Sequence, residues 1–463
     1  MNPLSTSPEA AGFDLGLGYL AATLREAGHE PDLLLRPLTA GEFREHLRRH
    51  PPGLVGIKIL AAAIPDARRT IAMVRETLGA PVVVGGPQVT GDPLGILDAL
   101  PADLAIQGDG DWALPALVSS LAAEGKGLEA VPGLVRREGE GLRVNPLAGV
   151  DDLDRLPYPA WDLMPPARHA TLVAKRLPAA SLLITRGCSH QCTYCAEGIR
   201  PLRFRSVENV MGEIRLLVER FGVREIQFLD SNFLFNRRYI KRFCQAVLDS
   251  GLDLVFSAPN GMRIESLDAE TAMLLGRIGL YRVNLGIESG SREVLEAVNK
   301  RVTPEVFRDK VPLLRRHGVE VVGNFMVGFP GETRAQMEES LALALELDLT
   351  GLNVSVYTPM PGTELHRDLL ARGRLPPGVA PGHNYVNYEN TLSELAPAEL
   401  RRFRNRFALR FLLRWRMVPI LWRLLRHQGI RRTLFRRIGV MYLRRLRAQA
   451  RAGEAIAIAG LLG

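Results

Sequence analysis

The chain has 463 residues, 46% hydrophobic and 24% charged, which suits several domains with their own cores and excludes a disordered chain. Its net charge of +9 sits at one end: from Arg401 onward there are 17 arginines and the single acid Glu454, whereas residues 1–400 carry 42 basic and 49 acidic groups. That distribution argues against nucleic acid as a partner; no apolar run of about 18 residues predicts a membrane-spanning helix, and the opening residues are not expected to be a secretory signal.

Residues 15–27 read as an amphipathic helix ending at Gly28, 54–60 and 81–84 as buried strands, with helical periodicity over 64–78 and 112–124. This alternation predicts a doubly wound, Rossmann-like α/β domain over residues 1–150, with ligands at the carboxyl ends of its strands. Two glycine-rich loops fall there, around Gly85 and Gly86 and around Gly108 and Gly110. They serve either as tight turns alone or as places where a ligand approaches bare backbone. The chain turns Pro-rich from 125, and 151–177 is set apart as a linker.

A short apolar strand at 181–184 runs into a loop at Gly187. Further strands at 225–230, 282–288, 319–327 and 352–357, separated by helices such as 207–220 and 291–298, predict a partial (β/α)6 barrel over 178–375. Asp230 or Asn232 is placed to cap a helix from Phe235 onward, and Cys244 is placed in the core. Residues 376–463 are expected to be helical and basic, with Phe403, Phe407, Phe411, Leu412 and Trp415 on one face. That face either packs on the barrel or lies on an anionic membrane surface.

The chemistry is concentrated in Cys188, Cys192 and Cys195, three of the chain's four cysteines. Thiolates at this spacing can ligate three irons of a [4Fe–4S] cluster and leave the fourth open to a substrate or cosubstrate. Structural zinc would need a fourth ligand, and only His190 is at hand. Few, clustered cysteines suit the reducing cytoplasm.

The cysteine motif resembles that of the radical SAM enzymes, and the resemblance runs from about residue 12 to 425. It implies that S-adenosylmethionine chelates the open iron and is cleaved to a deoxyadenosyl radical. It also implies that Tyr194 packs near adenine, that Glu288 and Ser289 approach the ribose and methionine portions, and that the strand and turn through Gly328 line adenine. Asp230 stands where the family often carries an acidic pair, though Ser231 replaces the second acid, and Arg263 is expected to pair with the cosubstrate carboxylate. Gly85 with Gly86, the Gly108 loop and Leu60 resemble the cobalamin-binding domain that precedes many such barrels. Its cobalt-ligating DxHxxG motif is absent here, and Lys58 stands where the family's SxL element has Ser. The family's usual opening strand has no counterpart ahead of Asn2 and Pro3, so either the sheet is expected to lack an edge or the sequence starts short of it.

The chain is thus identified as similar to cobalamin-dependent (B12) radical SAM methyltransferases, hopanoid methylases and the anaerobic magnesium-protoporphyrin ester cyclase. The implied reaction is methylation of an unactivated carbon of a lipid, pigment or secondary metabolite. An external donor such as flavodoxin or ferredoxin would supply electrons, and the basic tail would contact a membrane peripherally. Oxidative cyclisation with the same cofactors is the second reading. A non-catalytic cobalamin or redox sensor is the third. tRNA methylthiolation is disfavoured, since no cysteine precedes Cys188.

Overall fold

The computed structural model describes residues 14–35, 38–60, 64–149, 151–168, 174–375 and 390–414. Both large sheets lie in one compact unit, residues 1–408; of the second unit, 409–463, only the first few residues are described. The first sheet runs in the order β1 (Val55–Lys58), β2 (Val82–Gly85), β3 (Leu104–Ile106), β4 (Leu134–Glu138) and β5 (Gly141–Val144). β1 to β3 are parallel; β4 and β5 are antiparallel.

Val82, Val83 and Val84 form an unbroken apolar run because both faces of β2 are covered. On one face, Phe43 and Leu47 of helix Ala40–Arg49 and Ile71 and Val74 of helix Ile64–Thr77 share a core with Ile57, Val82 and Val84. On the other, Ala113 and Leu117 of helix Gly110–Ala122 pack with Val83 and Ile106. The sheet is doubly wound as expected, with an addition: the stretch after 125 forms the β4–β5 hairpin at its edge. Arg136, Arg137 and Arg143 hide the period-two alternation that would have announced it.

β6 (Ala179–Leu182) opens the second sheet. It is followed by a two-residue ribbon of β7 (Thr185–Arg186) and β8 (Arg203–Phe204), between which the cysteines lie. Then come β9 (Glu225–Phe228), β10 (Val255–Met262), β11 (Leu280–Glu288), β12 (Glu320–Val327) and β13 (Gly351–Val356). The order β6-β9-β10-β11-β12-β13 is parallel throughout, so each strand lies beside the next, with β6 and β13 at the two edges. This is an open (β/α)6 barrel, and its loops after the strands all fall at one end.

Two local readings need correction. β10 was missed because Pro259, Asn260 and Gly261 look like breakers; they sit where the β10–β11 ladder shifts register, between Ala258 and Met262. The helix expected at 235 spans Arg237–Ser250 and is capped by Asn236, not by Asp230 or Asn232. The Pro-rich linker is bolted down: Trp161 Nε1 donates to Glu213 Oε1 at 2.9 Å, and Arg25 pairs with Asp162 at 2.8 Å.

Cys244 is fully buried, as expected. Helix Pro397–Leu412 sets Phe407 5.4 Å from Phe325 of β12, so this first part of the basic region packs on the barrel. Trp415 and the rest of the basic tail lie outside the described residues, as do the residues before Asp14. Among the described residues no helix is long and apolar enough to cross a membrane.

Candidate active site

Cys188, Cys192 and Cys195 are free thiols, each partly exposed, on the loop between β7 and β8. They are close enough for their charges to interact, and burial pushes the Cys195 thiol up to about 11 and raises that of Cys188. A cluster that takes one thiolate per iron fits three such donors on one loop. Binding must displace their protons. Among the described residues, no three His, Cys, Asp or Glu side chains gather around the position of a single metal ion.

The loop is held from several sides. Thr193 N donates to Val298 O at 3.1 Å, and its carbonyl accepts from Leu365 N at 2.9 Å. Asp230 lies beneath the loop's root, fully buried. Its carboxylate accepts from Ile184 N at 3.0 Å and from the backbone and hydroxyl of Thr185, both at 2.6 Å. Burial raises its carboxyl to about 6. Arg263 follows β10 and donates to Cys192 Sγ at 3.3 Å and to Glu265 at 2.7 Å, and also to the Lys300 carbonyl. Its guanidinium is therefore already engaged, where the sequence suggested a partner for the cosubstrate carboxylate.

Glu288 ends β11 at φ +67, a left-handed conformation that costs about 1–3 kcal/mol for a non-glycine residue. The ladder shifts register between Gly286 and Glu288, and the carboxylate meets Lys300 Nζ at 3.2 Å. Lys300 Nζ is also 3.4 Å from the Tyr194 hydroxyl. Burial, then the Glu288 charge, holds that phenol well above its usual range. The Tyr194 ring stands edge-on to Phe329, 5.7 Å between centroids, beside the turn at Gly328. Tyr194, Glu288 and the Gly328 turn thus converge next to the cysteines. Ser289 does not join them: it is buried, and its hydroxyl meets that of Ser340 at 3.1 Å.

Gly328 has φ +88 and a carbonyl that accepts from Asn390 Nδ2 at 2.7 Å. Glu332 Oε2 accepts from the N–H groups of Gly328 and Phe329 at 2.6 and 3.0 Å, and burial raises its carboxyl to about 7. Lys300, Glu332 and Asn390 were not singled out from sequence. Lys300 and Asn390 reach partners 12 to 106 residues away, Glu332 accepts from a turn three and four residues before it, and no spacing motif announces any of them.

In the first sheet, the parallel strands end together at Lys58, Gly85 and Ile106. Gly86 has φ +106, and a Cβ there would come within 3.1 Å of the Ile59 carbonyl, so only glycine fits. At Gly85 the nearest such contact is 3.7 Å, which leaves room. Gly108 N donates to Thr90 Oγ1 at 3.1 Å, and Leu60 is 49% exposed beyond β1. Lys58, at the Ser position of the missing SxL element, pairs with Asp14 at 2.8 Å. The carboxyl ends of the parallel strands thus gather at one edge of the sheet, where doubly wound folds bind their ligands.

The two sheets meet through these loops. Arg186 and Arg203, which flank the cysteine loop, pair with Asp111 at 2.5 Å and Asp109 at 2.7 Å; Asp109 is the N-cap residue of the helix after β3 and Asp111 lies in its first turn. A Cβ on Gly91, after β2, would lie 2.5 Å from the carbonyl of Pro361, after β13. The carboxyl-end loops of the first sheet therefore face the cysteine loop and the barrel mouth.

Residues 182–344 match the Radical SAM superfamily, and residues 2–118 match the B12 binding domain. An uncharacterized methyltransferase of Pyrococcus horikoshii is 28% identical over 373 residues, covering 79% of this chain and 80% of that protein. The anaerobic magnesium-protoporphyrin IX monomethyl ester cyclase of Rubrivivax gelatinosus is 26% identical over 366 residues, covering 76% of this chain and 65% of the cyclase. The solved radical S-adenosylmethionine methyltransferase TsrM of Kitasatospora setae, with cobalamin and [4Fe–4S] cluster bound, superposes with a TM-score of 0.66 at 21% identity, covering 87% of this chain and 80% of that one. The chain is thus an enzyme that carries a B12-binding domain in front of a radical SAM domain, similar in this arrangement to cobalamin-dependent radical SAM methyltransferases.

Proposed function

We propose that this enzyme methylates an unactivated carbon of a small-molecule substrate. The observation that carries the reading is the meeting of the glycine-edged loops of the first sheet with the cysteine loop of the second. Cys188, Cys192 and Cys195 would hold the cluster; Tyr194, Glu288 and the Gly328 turn would hold S-adenosylmethionine; Leu60, Gly85, Gly86 and Gly108 would border cobalamin. When bound, these groups supply a carbon-radical source and a methyl carrier. The chain's part is to hold them close, oriented and away from water.

Individual residues divide that labour. Asp230 fixes the backbone at the root of the cysteine loop, and Arg263 supports Cys192 from the side. Glu288 presents a carboxylate at a strand end, a position suited to ribose hydroxyls, with Lys300 balancing its charge. Ser289 serves by locking the turn after Glu288 against Ser340 rather than by touching the cosubstrate. A flavodoxin or ferredoxin would deliver electrons in the cytoplasm, and the arginines beyond residue 414 would give the protein a peripheral hold on anionic membranes.

Similarity to the ester cyclase favours a second reading, oxidative cyclisation with the same cofactors. Anaerobic purification with cluster reconstitution and hydroxocobalamin tests both. Retained cobalamin, 5′-deoxyadenosine release and a product heavier by one CH₂ support methylation. Cobalamin retention with turnover but no such gain in mass transfers support to cyclisation. A chain that cleaves S-adenosylmethionine but holds no cobalamin overturns both.

A further inference from the structure

The loop that carries the cysteines has a narrow neck. Its two sides are β7 and β8, two residues each, in which Arg186 lies directly across from Arg203. Gly187 is pressed against the other side: a Cβ there would lie 2.3 Å from the Pro201 carbonyl. A ribbon this short has little stability of its own. Like charges opposite one another weaken it further.

What balances the two guanidinium groups comes from the other domain. Arg186 grips Asp111 with two hydrogen bonds, 2.5 and 3.1 Å, and stacks on Tyr19 with 4.9 Å to the ring centroid. Arg203 donates to Asp109 at 2.7 Å, and Asp109 also lies 3.8 Å from Arg186 and from Arg200. All four paired side chains are largely buried, between 5 and 13% exposed. Removing one side would leave charge in a poorly solvated place. Asp109 directly follows Gly108 on the edge expected to hold cobalamin.

We propose that Arg186, Arg203, Asp109 and Asp111 form an interdomain clamp of positioning residues, through which the segment after β3 sets the shape of the cysteine loop and links cobalamin binding to cluster binding. The inference rests on the cofactor reading above. Linkage is reciprocal: a cluster that orders the neck must tighten cobalamin binding by the factor with which cobalamin tightens the hold on the cluster.

The test compares the full chain with an Asp109→Asn/Asp111→Asn variant. Hydroxocobalamin affinity is measured before and after cluster reconstitution, and iron loss to a chelator is timed. The parent is expected to bind hydroxocobalamin about tenfold more tightly once the cluster is in place. In the variant that ratio falls toward one and iron is lost about tenfold faster. Equal affinities in the parent, or a variant with the parent's ratio and iron-loss rate, overturn the clamp. A parent that takes up neither group overturns the cofactor reading and the clamp with it. If the double variant does not fold, Asp109→Asn alone is read by hydrogen exchange of residues 187–202. Faster exchange there supports the clamp, and unchanged exchange overturns it.

Discussion

Lys300 Nζ lies 3.2 Å from Glu288 Oε1, and both side chains are about nine-tenths buried beside the cysteine loop. Glu288 holds a left-handed conformation to make this contact, so the pair fixes where the β11 carboxylate points. Lys300→Met leaves that carboxylate buried without its cation, at a cost of about 3–5 kcal/mol. Urea unfolding of the cofactor-free chain measures the loss. Lys300→Met/Glu288→Gln should recover much of it, while S-adenosylmethionine binding falls in both variants. A single variant as stable as the parent would show that the pair is incidental.

Asp230 gives a pH signature. Burial raises its carboxyl from 3.8 to about 6, so between these values the folded chain holds a proton that the unfolded chain releases. Its contribution to stability is therefore present below about 4 and lost as the pH rises to about 6, on the order of 3 kcal/mol in all. Asp230→Asn keeps an oxygen for the Ile184 and Thr185 donors but cannot ionise. Compared with the parent, its stability should fall less between pH 4.5 and 7. Asp230→Ala orphans those donors and should lose about 2–5 kcal/mol. Parallel pH profiles for parent and Asn variant would refute this account.

The different legibility of these residues has a physical cause. The cysteine triplet, the valines of β2 and the parallel strands of the barrel are local patterns, set by ligand spacing or by burial on both faces. Asp230 looked like a helix cap because Asp before a helix is locally sufficient for one; its partners are 45 and 46 residues away. Asp109 and Asp111 looked like part of a glycine turn, since the arginines that need them belong to another domain. β10 was hidden by Pro259, whose lack of an N–H is harmless only where the ladder already breaks. Pairings that close across the fold leave no periodic trace.

Gly91 reports on the contact between the two domains. A Cβ there would lie 2.5 Å from the Pro361 carbonyl, and one on Gly362 would lie 2.6 Å from the Gly91 carbonyl. Both obstacles are backbone and cannot swing aside. Gly91→Ala should cost about 1–3 kcal/mol and weaken hydroxocobalamin retention, because the loops after β2 and β13 must separate. Gly53→Ala, where a Cβ meets nothing within 4 Å, is the matched control and should be silent. Equal unfolding midpoints and equal cobalamin retention in the two variants would mean that the contact is loose.

Asn390 is fully buried and bridges three backbone groups around the Gly328 turn. Its Nδ2 donates to the carbonyls of Gly328 and Tyr357 at 2.7 and 2.9 Å, and its Oδ1 accepts from Leu392 N at 2.7 Å. It therefore ties the ends of β12 and β13 to the segment that follows residue 389. Asn390→Ala leaves these groups without that partner, at about 1–3 kcal/mol for each one stranded. Asn390→Asp is the sharper test: its shape is the same, but an ionised carboxylate offers no donor and turns an oxygen toward two carbonyl oxygens. The Asp variant should be at least as unstable as the Ala variant near neutral pH and should regain stability as acid restores an O–H donor. Both should weaken S-adenosylmethionine binding, because the Gly328 turn loses its brace. An Asp variant that matches the parent at neutral pH would mean that the turn is held by Glu332 alone.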